Sequence, residues 1–161
     1  MIIRDALAAD APLMADLLNE VIAKGGTTAH QHLMPEQDLR EYFIDGPVVE
    51  TSVLAQVGEA VIGWPSLSRW RGEMPIGIFI RIGTQAKGVG AALFAQTLER
   101  ARSKGLTEMI AHMRADNAAG LAYYSRLGFV DIGGDREFTM DDGRVVGRVQ
   151  RRFDVVTAVT E

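Results

Sequence analysis

Two short stretches of this chain combine residue types that suit an anion and a leaving group. The first is Gln85-Ala86-Lys87-Gly88-Val89-Gly90. It follows Ile76-Gly77-Ile78-Phe79-Ile80, whose β-branched and aromatic content predicts a strand. It precedes a helix predicted over 88–104, with Phe94, Leu98 and Ala101 on one face. A glycine-bearing turn between strand and helix aims N–H groups without intrahelical partners at whatever lies in front of them. The helix dipole adds partial positive charge there. Gly88 and Gly90 remove side chains where a phosphate would approach, and Lys87 brings a formal charge. The second stretch runs from Asn117 through Tyr123, Tyr124 and Arg126 to Gly128-Phe129. It offers a helix cap, a phenol and a glycine–aromatic pair leading into a strand.

A nucleotide P-loop would place Lys and Ser/Thr directly after Gly83-x4-Gly88, where Val89-Gly90 stand instead. A dinucleotide fold would require Gly or Ala where Leu93 stands. The remaining pattern, Gln-x-x-Gly-x-Gly, resembles the acyl-CoA pyrophosphate loop of the GNAT N-acetyltransferase superfamily. The second stretch resembles that superfamily's other signature, in the right order and at the right separation. The resemblance covers most of residues 48–154.

The resemblance implies direct transfer of an acetyl group from acetyl-CoA, as co-substrate, to an amine. Pantetheine would lie along Ile78, Phe79 and Ile80, with one freed N–H near Phe79 or Ile80 facing the thioester carbonyl. The pyrophosphate would sit over Gln85, Ala86, Lys87, Gly88, Val89 and Gly90. Many superfamily members carry Arg where this chain has Gln85, so Lys87 would supply most of the local charge. Asn117 would position the pantetheine arm or cap the helix after it. Tyr124 matches the superfamily's general acid, whereas Tyr123 aligns with a packing position. Phenol and thiol pKa values near 10 and 8.5 make full proton transfer uphill by about 2 kcal/mol, so Tyr124 is expected to act mainly by hydrogen-bonding the departing sulfur.

The general base is less evident. An alkylamine is neutral only about one time in 2,500 at pH 7, equivalent to about 4.6 kcal/mol. Related enzymes often carry Glu near the position of Pro75, but Pro75 to Ile80 contains no carboxylate. Glu73 lies two residues earlier and would need a bridging water. His30 and His32 are further candidates, and no third ligand accompanies them to form a metal site. His112 reads as structural.

Ile3-Arg4, Asp10, Asn19, Ile22 and Thr27-Thr28 resemble the phosphinothricin and methionine sulfoximine acetyltransferase branch. That branch usually has an aromatic-basic pair where Ala29-His30-Gln31-His32 stand, so the acceptor is open to difference. Thr27, Thr28, His30, Glu36 and Asp38 would be available to hold a small amine, such as an amino acid or an analogue of one. The alternative is a non-catalytic acyl-CoA-binding regulatory module of the same fold.

The elements that must position these residues follow from the pattern. A strand at Ile2–Arg4 leads to a helix with Asp10 as N-cap and Leu13, Leu17 and Val21 inward, ended by Gly25-Gly26. A shorter helix over Pro35–Phe43 turns Leu39 and Phe43 inward. Strands at Thr51–Val57 and Ala60–Leu67 join through Gly58-Glu59. The fourth strand, Met74–Arg81, precedes the long helix, and a fifth strand, Thr107–Arg114, precedes the helix Asn117–Arg126. A sixth strand from Phe129 and a return from Val145 to Phe153 through Asp142-Gly143 finish the order. This order fits a mixed α/β protein and is also that of the GNAT fold, so the resemblance implies a mixed, mostly antiparallel central sheet of about seven strands with flanking helices. Residues 1–154 read as a single domain and 155–161 as a tail.

With 161 residues, the chain can bury one core. Seventeen Lys and Arg against 21 Asp and Glu, a net charge of −4, argue against a nucleic-acid partner. No apolar run approaches the ~20 residues that span a bilayer. The absence of cysteine excludes a disulfide and a thiolate nucleophile. The expectation is a cytoplasmic enzyme acting on a small molecule, without metal or membrane, with a homodimer left open.

Overall fold

The computed structural model of the chain describes residues 1–25, 32–84 and 87–156. Strand β1 (Ile2–Asp5) is followed by α1 (Ala11–Lys24) and α2 (Glu36–Phe43). Then come β2 (Val49–Val57), β3 (Ala60–Ser68), β4 (Pro75–Ile80) and α3 (Val89–Ser103). Next are β5 (Glu108–Arg114), α4 (Ala118–Leu127), β6 (Val130–Gly133), β7 (Phe138–Thr139), β8 (Val145–Val146) and β9 (Arg148–Asp154). Seven strands form one sheet in the order β1-β2-β3-β4-β5-β9-β6, and β7 and β8 form a separate hairpin. Every pairing is antiparallel except β4 with β5, as expected for a mixed, mostly antiparallel sheet.

Alternation along the strands sorts the core into two layers. On one face, Leu54, Val61, Trp64 and Phe79 pack against Met14, Leu17, Leu18 and Val21 of α1 and Leu39 and Phe43 of α2. On the other, Leu67, Ile76, Met109, Ala111 and Met113 pack against Phe94 and Ala101 of α3 and Tyr124 of α4. Val53, Ala55 and Ile62 meet Val89 and Leu93 on the same side. The inward positions expected of α2 and α3 hold, with Leu98 partly buried.

Three local expectations are corrected. Leu17 and Val21 of α1 are buried as expected, but Leu13 is 41% exposed, and Met14 and Leu18 complete the stripe in its place. Asp10 stands at the N-cap position without capping α1. Its carboxylate accepts two 2.8 Å bonds from the Arg4 guanidinium and one of 2.7 Å from the Leu7 N–H. The last strand is broken at Gly147, where a Cβ would lie 3.1 Å from Ala115 Cβ and 3.3 Å from Arg136 O. Residues 155 and 156, read as the start of the tail, are described. Val155 is 1% exposed, and its N–H donates to Thr107 O.

Candidate active site

β4 and β5 pair only at Pro75–Ile110 and Ile76–Ala111, then part. On its other side β4 stays paired with β3 out to Ile80–Gly63. Arg81 N–H donates to Ile62 O across that ladder. Alternation therefore turns the peptide groups of Gly77 and Phe79 toward β3, and those of Ile78 and Ile80 toward the gap. The Phe79 ring belongs to the α1–α2 core, tilted against Trp64 at 5.3 Å and edge-on to Phe43 at 5.6 Å. The free N–H expected near Phe79 or Ile80 thus falls on Ile78 and Ile80.

The gap opens a cavity of about 500 Å³. Ile78, Phe79, Ile80, Gly90, Asn117 and Tyr124, singled out from the sequence, all line it. Lys87, Gly88 and Val89 lie beside it without lining it. Lys87 is exposed, while the Val89 side chain is 3% exposed and belongs to the core, leaving only its backbone for a ligand. Gln85, Ala86, Thr27, Thr28 and His30 lie outside the described residues. Glu36 and Asp38 sit in the first turn of α2 and do not line the cavity.

Gly88 begins α3 in the left-handed region, at φ 77°, and gives the helix no side-chain cap. The first-turn amides consequently face outward unsatisfied by side chains. Tyr123 fixes this turn from the opposite helix by donating its hydroxyl to Gly90 O at 2.8 Å. A Cβ on Gly90 would lie 3.4 Å from the Tyr123 ring. Tyr123 thus does more than the packing expected of it.

Asn117 caps α4, its Oδ1 accepting the Gly120 N–H at 3.0 Å. At the other end Gly128, at φ 101°, donates to Ser125 O, and Phe129 N–H donates to Tyr124 O. These two bonds form a Schellman motif. Its accompanying apolar contact is the edge-on meeting of Tyr124 with Phe129 at 5.0 Å. Phe129 also packs on Phe94 and Phe153. The glycine–aromatic pair therefore locks the helix end on which Tyr124 stands. Tyr124 is 5% exposed, and its hydroxyl has no hydrogen-bond partner among the described residues. Burial, and secondarily Tyr123, push its pKa well above that of an ordinary phenol.

Among the described residues, four cationic side chains line the cavity, Lys24, Arg81, Arg114 and Arg148, with His112 and no carboxylate. Arg81 reaches Val61 O at 3.0 Å and Glu20 at 3.5 Å. Arg114, 6% exposed, holds Asp116 through bonds of 3.0 and 2.8 Å. Arg148 lies over the Phe138 ring at 4.2 Å, and it has no carboxylate partner among the described residues. Of the basic candidates, Glu73 meets His112 Nε2 at 3.3 Å. His32 is on the surface, 2.8 Å from Asp141. Sequence reasoning missed Arg114, Arg148 and the cavity position of His112. The signal was available, since polar His112 and Arg114 alternate with apolar Met109, Ala111 and Met113 in a central strand. Among the described residues, no group of three or more His, Cys, Asp or Glu side chains could hold a metal ion.

A sheet of this order, opened between its one parallel pair and faced by an uncapped helix start, is the frame of an acyltransferase. Residues 15–129 match the acetyltransferase (GNAT) family, and the chain belongs to it. It is an N-acetyltransferase. Its relatives include an L-methionine sulfoximine/L-methionine sulfone acetyltransferase of Pseudomonas paraeruginosa, 34% identical over 141 residues, 79% of this chain and 78% of that one. The enzyme of the same description from Pseudomonas aeruginosa matches equally. Among solved structures, a phosphinothricin acetyltransferase from Sinorhizobium meliloti in complex with AcCoA superposes with a TM-score of 0.80 at 21% identity, over 95% of this chain and 87% of that one. A ribosomal-protein-alanine N-acetyltransferase from Brucella melitensis gives the same TM-score and identity, over 96% and 99%. The fold alone therefore does not choose between a small and a protein acceptor.

Proposed function

We propose that the protein transfers the acetyl group of acetyl-CoA to the amine of a small acceptor bearing a carboxylate, an amino acid or amino-acid analogue. The observation that carries this reading is the charge of the cavity, with four cations and no carboxylate among the described residues of its lining. An acceptor with several ammonium groups, such as a polyamine or aminoglycoside, would be repelled there, whereas an α-carboxylate finds Arg148 without an acidic partner. The names of the two Pseudomonas relatives, both acting on amino-acid analogues, support the same class.

In this reading the pantetheine arm bonds the peptide groups of Ile78 and Ile80 in the gap. The pyrophosphate meets the Val89 and Gly90 amides and Lys87, together with Gln85 and Ala86 as the superfamily resemblance implies. Asn117 orients the arm and caps α4. One of the freed N–H groups on β4 receives the oxyanion, and the Tyr124 hydroxyl donates to the sulfur as it leaves.

The test is release of free CoA across an acceptor panel. Methionine sulfoximine, phosphinothricin and free amino acids are expected to show the highest kcat/KM. Methyl-esterifying the carboxylate of the best of them should lower kcat/KM by about tenfold or more, as expected when a charge-assisted bond is removed. A higher kcat/KM for a polyamine, an aminoglycoside or a lysine peptide would overturn the acceptor class.

A further inference from the structure

The fourth strand and its approach offer no carboxylate beyond Glu73, yet the amine must lose a proton. The sheet register shows where it can go. Ala111 is the last residue of β5 paired with β4, and His112 is the next. Alternation sends Met109, Ala111 and Met113 to the α3–α4 core and His112 to the opposite side, where Gly77 and Phe79 also point. Beside Gly77 there is open space, since a Cβ built there would meet no atom within 4 Å. His112 therefore stands at the head of the gap, next to the first freed peptide group of β4 and across the sheet from Tyr124.

We propose that His112 is the general base of the transfer and that Glu73 is its positioning residue, an assignment that rests on the acetyltransferase reading of the cavity. The Glu73 carboxylate lies 3.3 Å from His112 Nε2. With Nε2–H donated to Glu73, Nδ1 carries the lone pair and has no partner among the described residues. The amine adds to the thioester carbonyl carbon, forming the C–N bond, and its surplus proton passes to Nδ1. Collapse of the oxyanion breaks the C–S bond, and the electron pair leaves on sulfur. Return of the proton through solvent to the thiolate gives the amide and CoA.

The groups around His112 bear on its pH response. Gln150 stands opposite on β9, Arg148 and Arg152 lie two residues to either side of it, and Arg114 follows on β5. Lys24 from α1 and Tyr123 and Tyr124 from α4 line the same cavity, and β4 itself contributes no titratable group. This mostly cationic setting disfavours an ammonium ion and favours loss of its proton.

The experiment is the pH dependence of kcat/KM for the best acceptor in wild type, His112→Ala and Glu73→Gln, with acetyl-CoA affinity measured in parallel. The wild type should show an acidic limb, as expected when a general base must be deprotonated. His112→Ala should lose that limb and about 100-fold or more of its rate, with acetyl-CoA affinity unchanged. Added imidazole should restore part of the loss. Glu73→Gln should lower kcat several-fold while keeping the limb, because the imidazole remains but is less well held. An unaltered limb in His112→Ala, or a rate loss below about threefold, would overturn the assignment while leaving acetyl transfer intact. Absence of turnover in the wild type with every amine would strike the acetyltransferase reading itself and remove this proposal with it.

Discussion

Tyr124 is the residue whose chemistry is most constrained by its surroundings. A phenol whose pKa is raised by burial stays protonated at every pH at which the enzyme would work. That makes full transfer of its proton to a thiolate harder and a hydrogen bond to the leaving sulfur the better description. Tyr124→Phe should lower kcat by about 10- to 100-fold, with acetyl-CoA affinity within about twofold of wild type, because that hydrogen bond forms only as sulfur departs. Single-turnover kinetics with the best acceptor, read beside an acetyl-CoA titration, checks it. An unchanged kcat would exclude the role. Tyr124, Asn117 and the Gly128-Phe129 pair were legible in the sequence because cap, helix and helix end follow one another along the chain. Arg148 was not, because the antiparallel pairing of β5 with β9 brings together residues separated by the whole of α4, β6 and a hairpin.

At the scale of elements, local pattern predicted most of the helices and strands, and the exceptions have identifiable causes. The last strand is interrupted at Gly147, where a Cβ would crowd Ala115 and Arg136, a long-range approach that no alternation of side chains announces. Asp10 has the sequence position of a cap, yet its carboxylate ties β1 to the start of α1 through Arg4. Hydrogen bonds from Arg4, then from the Leu7 backbone, hold its pKa below the ordinary carboxylate value of 3.8, against an opposing effect of burial. A carboxylate with a depressed folded-state pKa contributes stability that is fully present above pH ~4 and is lost as pH falls through the folded-state value. Asp10→Asn should therefore destabilise the protein by about 1–2 kcal/mol at pH 7 and by less in acid. Denaturant titrations at neutral and acidic pH measure this, and a pH-independent difference would show that the charge is not the cause.

For the whole molecule, the best test of the site is whether its ligand stabilises the fold. Acetyl-CoA at 100 times its Kd should add about 2.7 kcal/mol to unfolding. Gly88→Val should remove that gain, since only glycine readily holds φ 77° and the turn would have to re-aim its amides. The ligand-free protein should lose only about 1–2 kcal/mol, because a side chain at that position meets no atom within 4 Å. Thermal and denaturant unfolding with and without acetyl-CoA would decide it; a full ligand shift in Gly88→Val would remove this turn from the binding site. The global architecture was legible because the order of elements fits a mixed α/β sheet and the two signature stretches resemble those of the GNAT superfamily. The single parallel pair, β4 with β5, emerges only from the structure.

The parting of β4 from β5 has one more consequence. It leaves, in the middle of the sheet, a strand margin whose peptide groups are unpaired, and such a margin is a template for any extended chain. Most proteins keep that hazard at the rim and blunt it with charge. Here Lys24, Arg81, Arg114 and Arg148 line the opening, so the cations proposed to receive phosphate and carboxylate would also discourage an apolar strand from zipping into it. On the proposed reading, selectivity for an anionic ligand and protection against self-association would fall to the same four side chains.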